Sequence, residues 1–150
     1  MKIILCKSHL DGPISGADET LVTYAAQLQK AGESVSVLLM YLHAEEDQYY
    51  QRLLESDVPV SWIASNLAQT SLSAGRKLAA LMFQSFPGSR SFVRRKTQPM
   101  VSAMANSYYQ DCRKFLEREK PDVVHVVTPN AGATVVIRAA HHAGVPVIYQ

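Results

Sequence analysis

The sequence predicts an α/β fold: a Rossmann-like, doubly wound parallel sheet of about five strands in the order 3-2-1-4-5. Three observations carry this. Short apolar, β-branched runs alternate with longer stretches of helical periodicity, Gly and Pro mark the junctions, and each connection is long enough for the crossover that a parallel strand pair requires.

Residues 2–6, KIILC, are a short apolar run of the kind that forms a strand buried on both faces. Leu21, Tyr24, Ala25 and Leu28 then recur at helical spacing, and Gly32 follows Lys30 where a C-cap belongs, which predicts a helix from about Ala17 to Ala31. Residues 34–42, SVSVLLMYL, read as the second strand. The acidic, glutamine-containing stretch at 44–56 reads as the second helix, and VPVSWI, residues 58–63, as a short third strand.

From Asn66 to Gln98 the pattern weakens to an amphipathic piece near GRKLAALMFQSF and a turn at Pro87 and Gly88. Proline suits a first helical turn, so the stripe Met100, Met104, Tyr108, Cys112 and Phe115 predicts a long helix from Pro99 to about Glu119, with the stripe as core. VVHVVT after Pro121 and Asp122 makes a fourth strand. A helix from about Ala133 to Ala143, Gly144 and a fifth strand, VPVIY, follow.

The 150 residues are enough for one domain with its own core, and 47% hydrophobic against 19% charged residues is a globular composition. No apolar run approaches the roughly 20 residues that span a bilayer. MKIILCK reads as a strand, without the cleavage pattern of a secretion signal, and makes the cytoplasm the expected compartment. Cys6 and Cys112 lack the spacing of a zinc site or disulfide framework and are expected to be buried thiols.

Net charge is +2, unevenly spread. Between Val58 and Gln110 there is no acidic residue, while Arg76, Lys77, Arg90, Arg94, Arg95 and Lys96 supply six positive charges; the other 9 basic residues face 13 acidic ones. This stretch suits peripheral contact with an anionic membrane surface, and is equally consistent with a solvated segment. Nucleic acid is disfavoured because no stacking aromatics or recognised motif accompany the charges.

Sheets of this class bind ligands beyond the carboxyl ends of the strands, beside the switch point between strands one and four. That rule selects the loops His9–Ala17 and Thr128–Gly132. In HLDGPISGADETL the turn leads into a helix, whose first N–H groups and dipole suit an anion, and Gly16 lets an anion approach the backbone closely. The spacing Gly12-x-x-x-Gly16 is neither the dinucleotide fingerprint nor a P-loop, and strand two ends without the acidic residue of a nicotinamide site. The plain alternative is that the glycines only turn the chain and that Ser15 or Asp18 caps the helix. Thr128 and Asn130, at the end of strand four, are candidates for ligand contact or for a simple cap. His125, between valines, reads as a buried strand residue rather than a base. His141 and His142 suit a helix C-terminus and, being adjacent, do not face one way as metal ligands would.

Residues 15–39, SGADETLVTYAAQLQKAGESVSVLL, resemble the start of many glycosyltransferases of family 4 (group 1), a GT-B family. There a glycine turn and a helix with an acidic residue near its start lead to the second strand. KPDVVHVVTPNAGATVVIRAAHHAGVPVIYQ, residues 120–150, resembles the second signature of the same amino-terminal domain. The chain departs from the pattern at Ser15, where a second glycine is usual, at Glu33 after Gly32 and at Val127, both commonly histidine.

The resemblance implies one half of a GT-B fold: an acceptor-side domain, residues 1–150, of a retaining enzyme. That enzyme would move a sugar from a nucleotide-sugar donor to a glycan or lipid-linked acceptor. By match, Ser15, Gly16 and Ala17 lie near the donor phosphate and transferred sugar, while Thr128 and Asn130 fall on the acceptor side. No cofactor or metal is implied, because helix N-termini and basic side chains can offset the leaving diphosphate. The loop and covering helix expected after strand five, and the nucleotide-sugar domain, are not in the sequence, which implies a truncated piece that alone transfers no sugar. The competing class is a stand-alone flavodoxin-like module using the same loops for a phosphorylated ligand. A receiver-type switch fits poorly, since strand one lacks a following acidic pair.

Overall fold

A computed structural model describes residues 1–10, 15–40, 47–63, 90–127 and 131–149, with the side chains of 90–104 and 131 excepted. The elements are β1 (Lys2–Lys7), α1 (Gly16–Lys30), β2 (Ser34–Leu39), α2 (Gln48–Glu55), β3 (Val60–Trp62), α3 (Arg90–Glu119), β4 (Val123–Val126), α4 (Ala131–His142) and β5 (Val147–Tyr149). All pairings are parallel and the sheet order is β3-β2-β1-β4-β5, the arrangement the sequence predicts.

Alternation along β1 divides the core into two layers. Ile4 and Cys6, with Leu38, Met40, Val124 and Val126, pack against Tyr108, Cys112 and Leu116 of α3 and against Ala133, Val136, Ala139 and Ala140 of α4. Ile3 and Leu5, with Val35, Val37, Leu39 and Val123, pack against Leu21, Val22 and Ala25 of α1 and against Tyr49 and Leu53 of α2. Helices thus cover opposite faces on the two sides of β1, which places the switch point between β1 and β4.

Helix ends follow local chemistry. After α1, Gly32 takes a left-handed φ of +84°, and Gly32 N–H and Glu33 N–H donate to the Gln29 and Leu28 carbonyls at 3.0 and 3.1 Å. The same closure ends α4, where Gly144 has φ +69° and Val145 N–H reaches the Ala140 carbonyl at 2.9 Å. Both glycines sit where a Cβ would strain the backbone.

Several boundaries differ from expectation. β1 runs one residue further, to Lys7, and β2 stops at Leu39 rather than 42. α2 starts only at Gln48, because the Asp47 carboxylate accepts from Tyr49 and Tyr50 N–H and caps it there. α3 begins at Arg90, so Pro99 lies inside the helix and not at its first turn. That first part, RSFVRRKTQ, is basic and carries no apolar stripe, which hid its start. Of the predicted stripe, Tyr108 and Cys112 are buried and Phe115 is half-buried, while Leu116, off the stripe, is fully buried. The expected turn at Pro87 and Gly88 and the amphipathic piece before it lie outside the described residues.

Candidate functional site

The Ser15–Ala17 turn stands at the start of α1, just beyond the carboxyl end of β1. Ser15 is extended, with φ −140° and ψ 114°, and caps the helix: its Oγ accepts from Asp18 N–H at 3.2 Å and its carbonyl from Glu19 N–H at 3.0 Å. Of the two residues considered as caps, Ser15 does the work. Among the described residues no acceptor takes the N–H of Gly16 or Ala17. Gly16 is exposed, and among the described residues a Cβ built on it meets nothing within 4 Å. Its backbone needs no glycine; what glycine leaves is open approach to the two N–H groups at the positive end of the α1 dipole.

Three contacts hold this turn. From inside, the Lys7 ammonium pairs with the Asp18 carboxylate, their side chains 2% and 0% exposed. From α2, the Tyr49 hydroxyl accepts from Ser15 N–H at 3.2 Å and donates to the Ser15 carbonyl at 3.3 Å, with Tyr49 itself buried. On the surface, Arg52 donates from two nitrogens to Glu19 at 2.6 and 2.8 Å. The guanidinium hydrogen bonds hold the Glu19 carboxyl below the usual carboxylate range.

Sequence reasoning missed Lys7, Tyr49 and Arg52. A lysine closing an apolar run reads as a solvated strand end, and Tyr49 stands in a stretch that looks exposed. The available signal was the pairing of Lys7 with Asp18 across a turn too short to separate them far.

His125 is 7% exposed in β4, its ring meeting that of Tyr24 edge to face at 5.5 Å between centroids. It pairs with Leu5, two residues short of the strand end, and so packs below the turn instead of lining it. Thr128 and Asn130 lie outside the described residues, as do Arg76 and Lys77; Arg90, Arg94, Arg95 and Lys96 fall in the first two turns of α3. Cys6 and Cys112 are both buried free thiols. Burial raises both, Cys112 to about 12, so neither supplies a thiolate nucleophile near neutral pH.

Cys6, Lys7, Ser8, Met40, Val126, Gly132, Ala133 and Val136 line a small recess at the switch point. A broader depression of about 610 Å³ lies elsewhere, between edge strand β3 and Asp111, Lys114, Phe115 and Arg118 of α3. Topology, not size, therefore selects the β1–α1 turn. Among the described residues no three metal-ligating side chains cluster, and no helix is long and apolar enough to cross a membrane.

The chain is thus a doubly wound α/β domain with the N-terminus of α1 at its switch point. Residues 15–150 match the profile of the glycosyl transferase 4-like domain, and the chain belongs to that family. The match begins at Ser15. No curated protein sequence matches. Among solved structures, 99% of the chain superposes on Acinetobacter baumannii MurG with a TM-score of 0.56 and 16% identity, covering 34% of that chain. It also superposes on the C-terminal domain of the PF1911 hydrogenase from Pyrococcus furiosus, TM-score 0.56 and 19% identity, covering 89% of that domain. At these identities the superpositions establish the fold, and the family match establishes a glycosyltransferase domain. The resemblance noted in the two sequence signatures is thereby borne out.

Proposed function

We propose that this chain is the amino-terminal, acceptor-side domain of a retaining glycosyltransferase that takes a nucleotide-sugar donor and a glycan or lipid-linked acceptor. The observation that carries the reading is a family match that starts on an anion-suited turn, with open N–H groups at Gly16 and Ala17. In this reading Ser15, Gly16 and Ala17 meet the donor phosphate and sugar. Backbone N–H groups and the helix dipole offset charge as the diphosphate leaves, so no metal is required. Thr128 and Asn130 serve the acceptor. The chain spans about a third of the MurG chain, so the nucleotide-sugar half of the site is assigned to a second domain, and the 150 residues alone are expected to transfer no sugar. The protein works in the cytoplasm, with peripheral contact at the inner face of the membrane through its basic segment.

The test is donor consumption by the complete protein against a panel of nucleotide sugars, with Gly16→Ala beside the native sequence. Among the described residues nothing stands within 4 Å of a Cβ at Gly16, which predicts an unchanged fold for the variant. A methyl group in the path of the diphosphate, worth about 1–3 kcal/mol of overpacking, raises the donor KM about tenfold or more. Wild-type donor kinetics in the variant would return Gly16 to a turn residue. Phosphate binding without consumption of any donor would favour the flavodoxin-like module, whose support is fold alone.

A further inference from the structure

We propose that Lys7 and Asp18 are a positioning pair that fixes the Ser15–Ala17 turn for its anionic ligand, an inference that rests on the donor-side reading of that turn. Lys7 is the last residue of β1 and Asp18 the third of α1, so their ion pair ties together the two ends of the connection that carries the turn. Both side chains are removed from water, and an apolar pair of similar volume would fill the same space without the loss of hydration. What the ionic pair adds is direction. An ammonium and a carboxylate meet over a narrow range of distance and angle, whereas apolar packing has no such orientation.

That direction is handed on to the turn. Asp18 is anchored through its side chain by Lys7, and through its N–H it holds Ser15 Oγ at 3.2 Å. Ser15 is gripped from the opposite side by the Tyr49 hydroxyl at 3.2 and 3.3 Å. The cap is therefore fixed between the sheet and α2, and the next two N–H groups, on Gly16 and Ala17, have no acceptor among the described residues and have their directions set. Lys7 and Asp18 touch no ligand in this scheme; they act through Ser15.

The experiment uses the complete protein in three forms: native, Lys7→Met with Asp18→Leu, and Asp18→Asn. Hydrogen exchange is followed in the peptide spanning residues 8–21 and in a reference peptide from α4 and β5, together with the affinity for inorganic pyrophosphate. The apolar double variant is expected to melt near the native temperature. Its exchange at 8–21 should rise about tenfold over an unchanged reference, with pyrophosphate affinity weakened by about tenfold. Native exchange and native affinity in that variant would reduce the pair to packing and overturn the proposal. If the double variant does not fold, Asp18→Asn, which keeps the shape, decides: loosening confined to 8–21 supports positioning, and a uniform rise across both peptides overturns it. A loosened turn that still binds pyrophosphate at native strength also overturns it. Loosening and weakened affinity in a protein that consumes no nucleotide sugar would refute the transferase and leave the positioning role standing.

Discussion

Asp18 and Tyr49 show how differently two buried polar residues in one turn weigh on stability. Removing one member of a buried ion pair strands charge in the interior, so Asp18→Ala is expected to lower unfolding free energy by about 3–5 kcal/mol. Tyr49→Phe keeps the ring in the core and gives up only the hydroxyl contacts with Ser15, an expected loss of about 1 kcal/mol. Urea titration of the two variants checks the order; equal losses would mean the Lys7–Asp18 pair is no more demanding than an ordinary hydrogen bond. At this scale the sequence was readable where chemistry is local. The Ser15 cap and the buried thiols follow from residue type and neighbours. Tyr49 was not readable, because its partner lies 34 positions away and only the fold brings them together, whereas the Lys7 pairing, 11 positions across one short turn, left a signal that a lysine at a strand end obscures.

At the scale of elements, helix ends decide what the sequence discloses. Gly32 and Gly144 mark the ends of α1 and α4 because their left-handed φ selects glycine, and both were legible. Gly32→Ala is expected to cost about 1 kcal/mol, measurable as a lower melting temperature, although a Cβ there meets open space; an unchanged midpoint would show that strain at this φ is negligible. The start of α3 was hidden because its first turns are basic and carry no apolar stripe, and Pro99 reads as a boundary although the helix runs through it.

The tie between α1 and α2 adds a pH dependence. The Glu19 carboxyl is held below its ordinary value by Arg52, so the folded state favours the charged form. The contribution is complete above the ordinary value of 4.5 and is lost as pH falls through the depressed one. Urea midpoints of Glu19→Gln and native protein should therefore differ near neutrality and converge in acid. A difference that grows on acidification would contradict the sign. The pair is exposed, so the effect should be small and weaken with salt.

For the whole molecule, strand order was legible because crossover length and alternating periodicity leave few topologies, and two signatures at opposite ends of the chain fall on the same switch point. The depression between β3 and α3 was not legible, since it joins segments distant in sequence. Charge distribution gives the molecule a second asymmetry. No acidic residue lies between Val58 and Gln110, and Arg90, Arg94, Arg95 and Lys96 occupy the first two turns of α3. The far half of the same helix is fixed in the core through Tyr108, Cys112 and Leu116, so these cations are carried on an element with a rigid root. Each cation near an anionic lipid surface contributes about 1 kcal/mol, and four together suffice for reversible attachment. The complete protein is therefore expected to sediment with phosphatidylserine-containing vesicles at about 0.1 M salt, to be released near 1 M, and to ignore purely zwitterionic vesicles. Arg94→Glu with Arg95→Glu should abolish sedimentation while leaving donor consumption in solution unchanged. Failure of the native protein to bind anionic vesicles at any salt concentration would leave the basic stretch as a solvated surface and remove the membrane from the account.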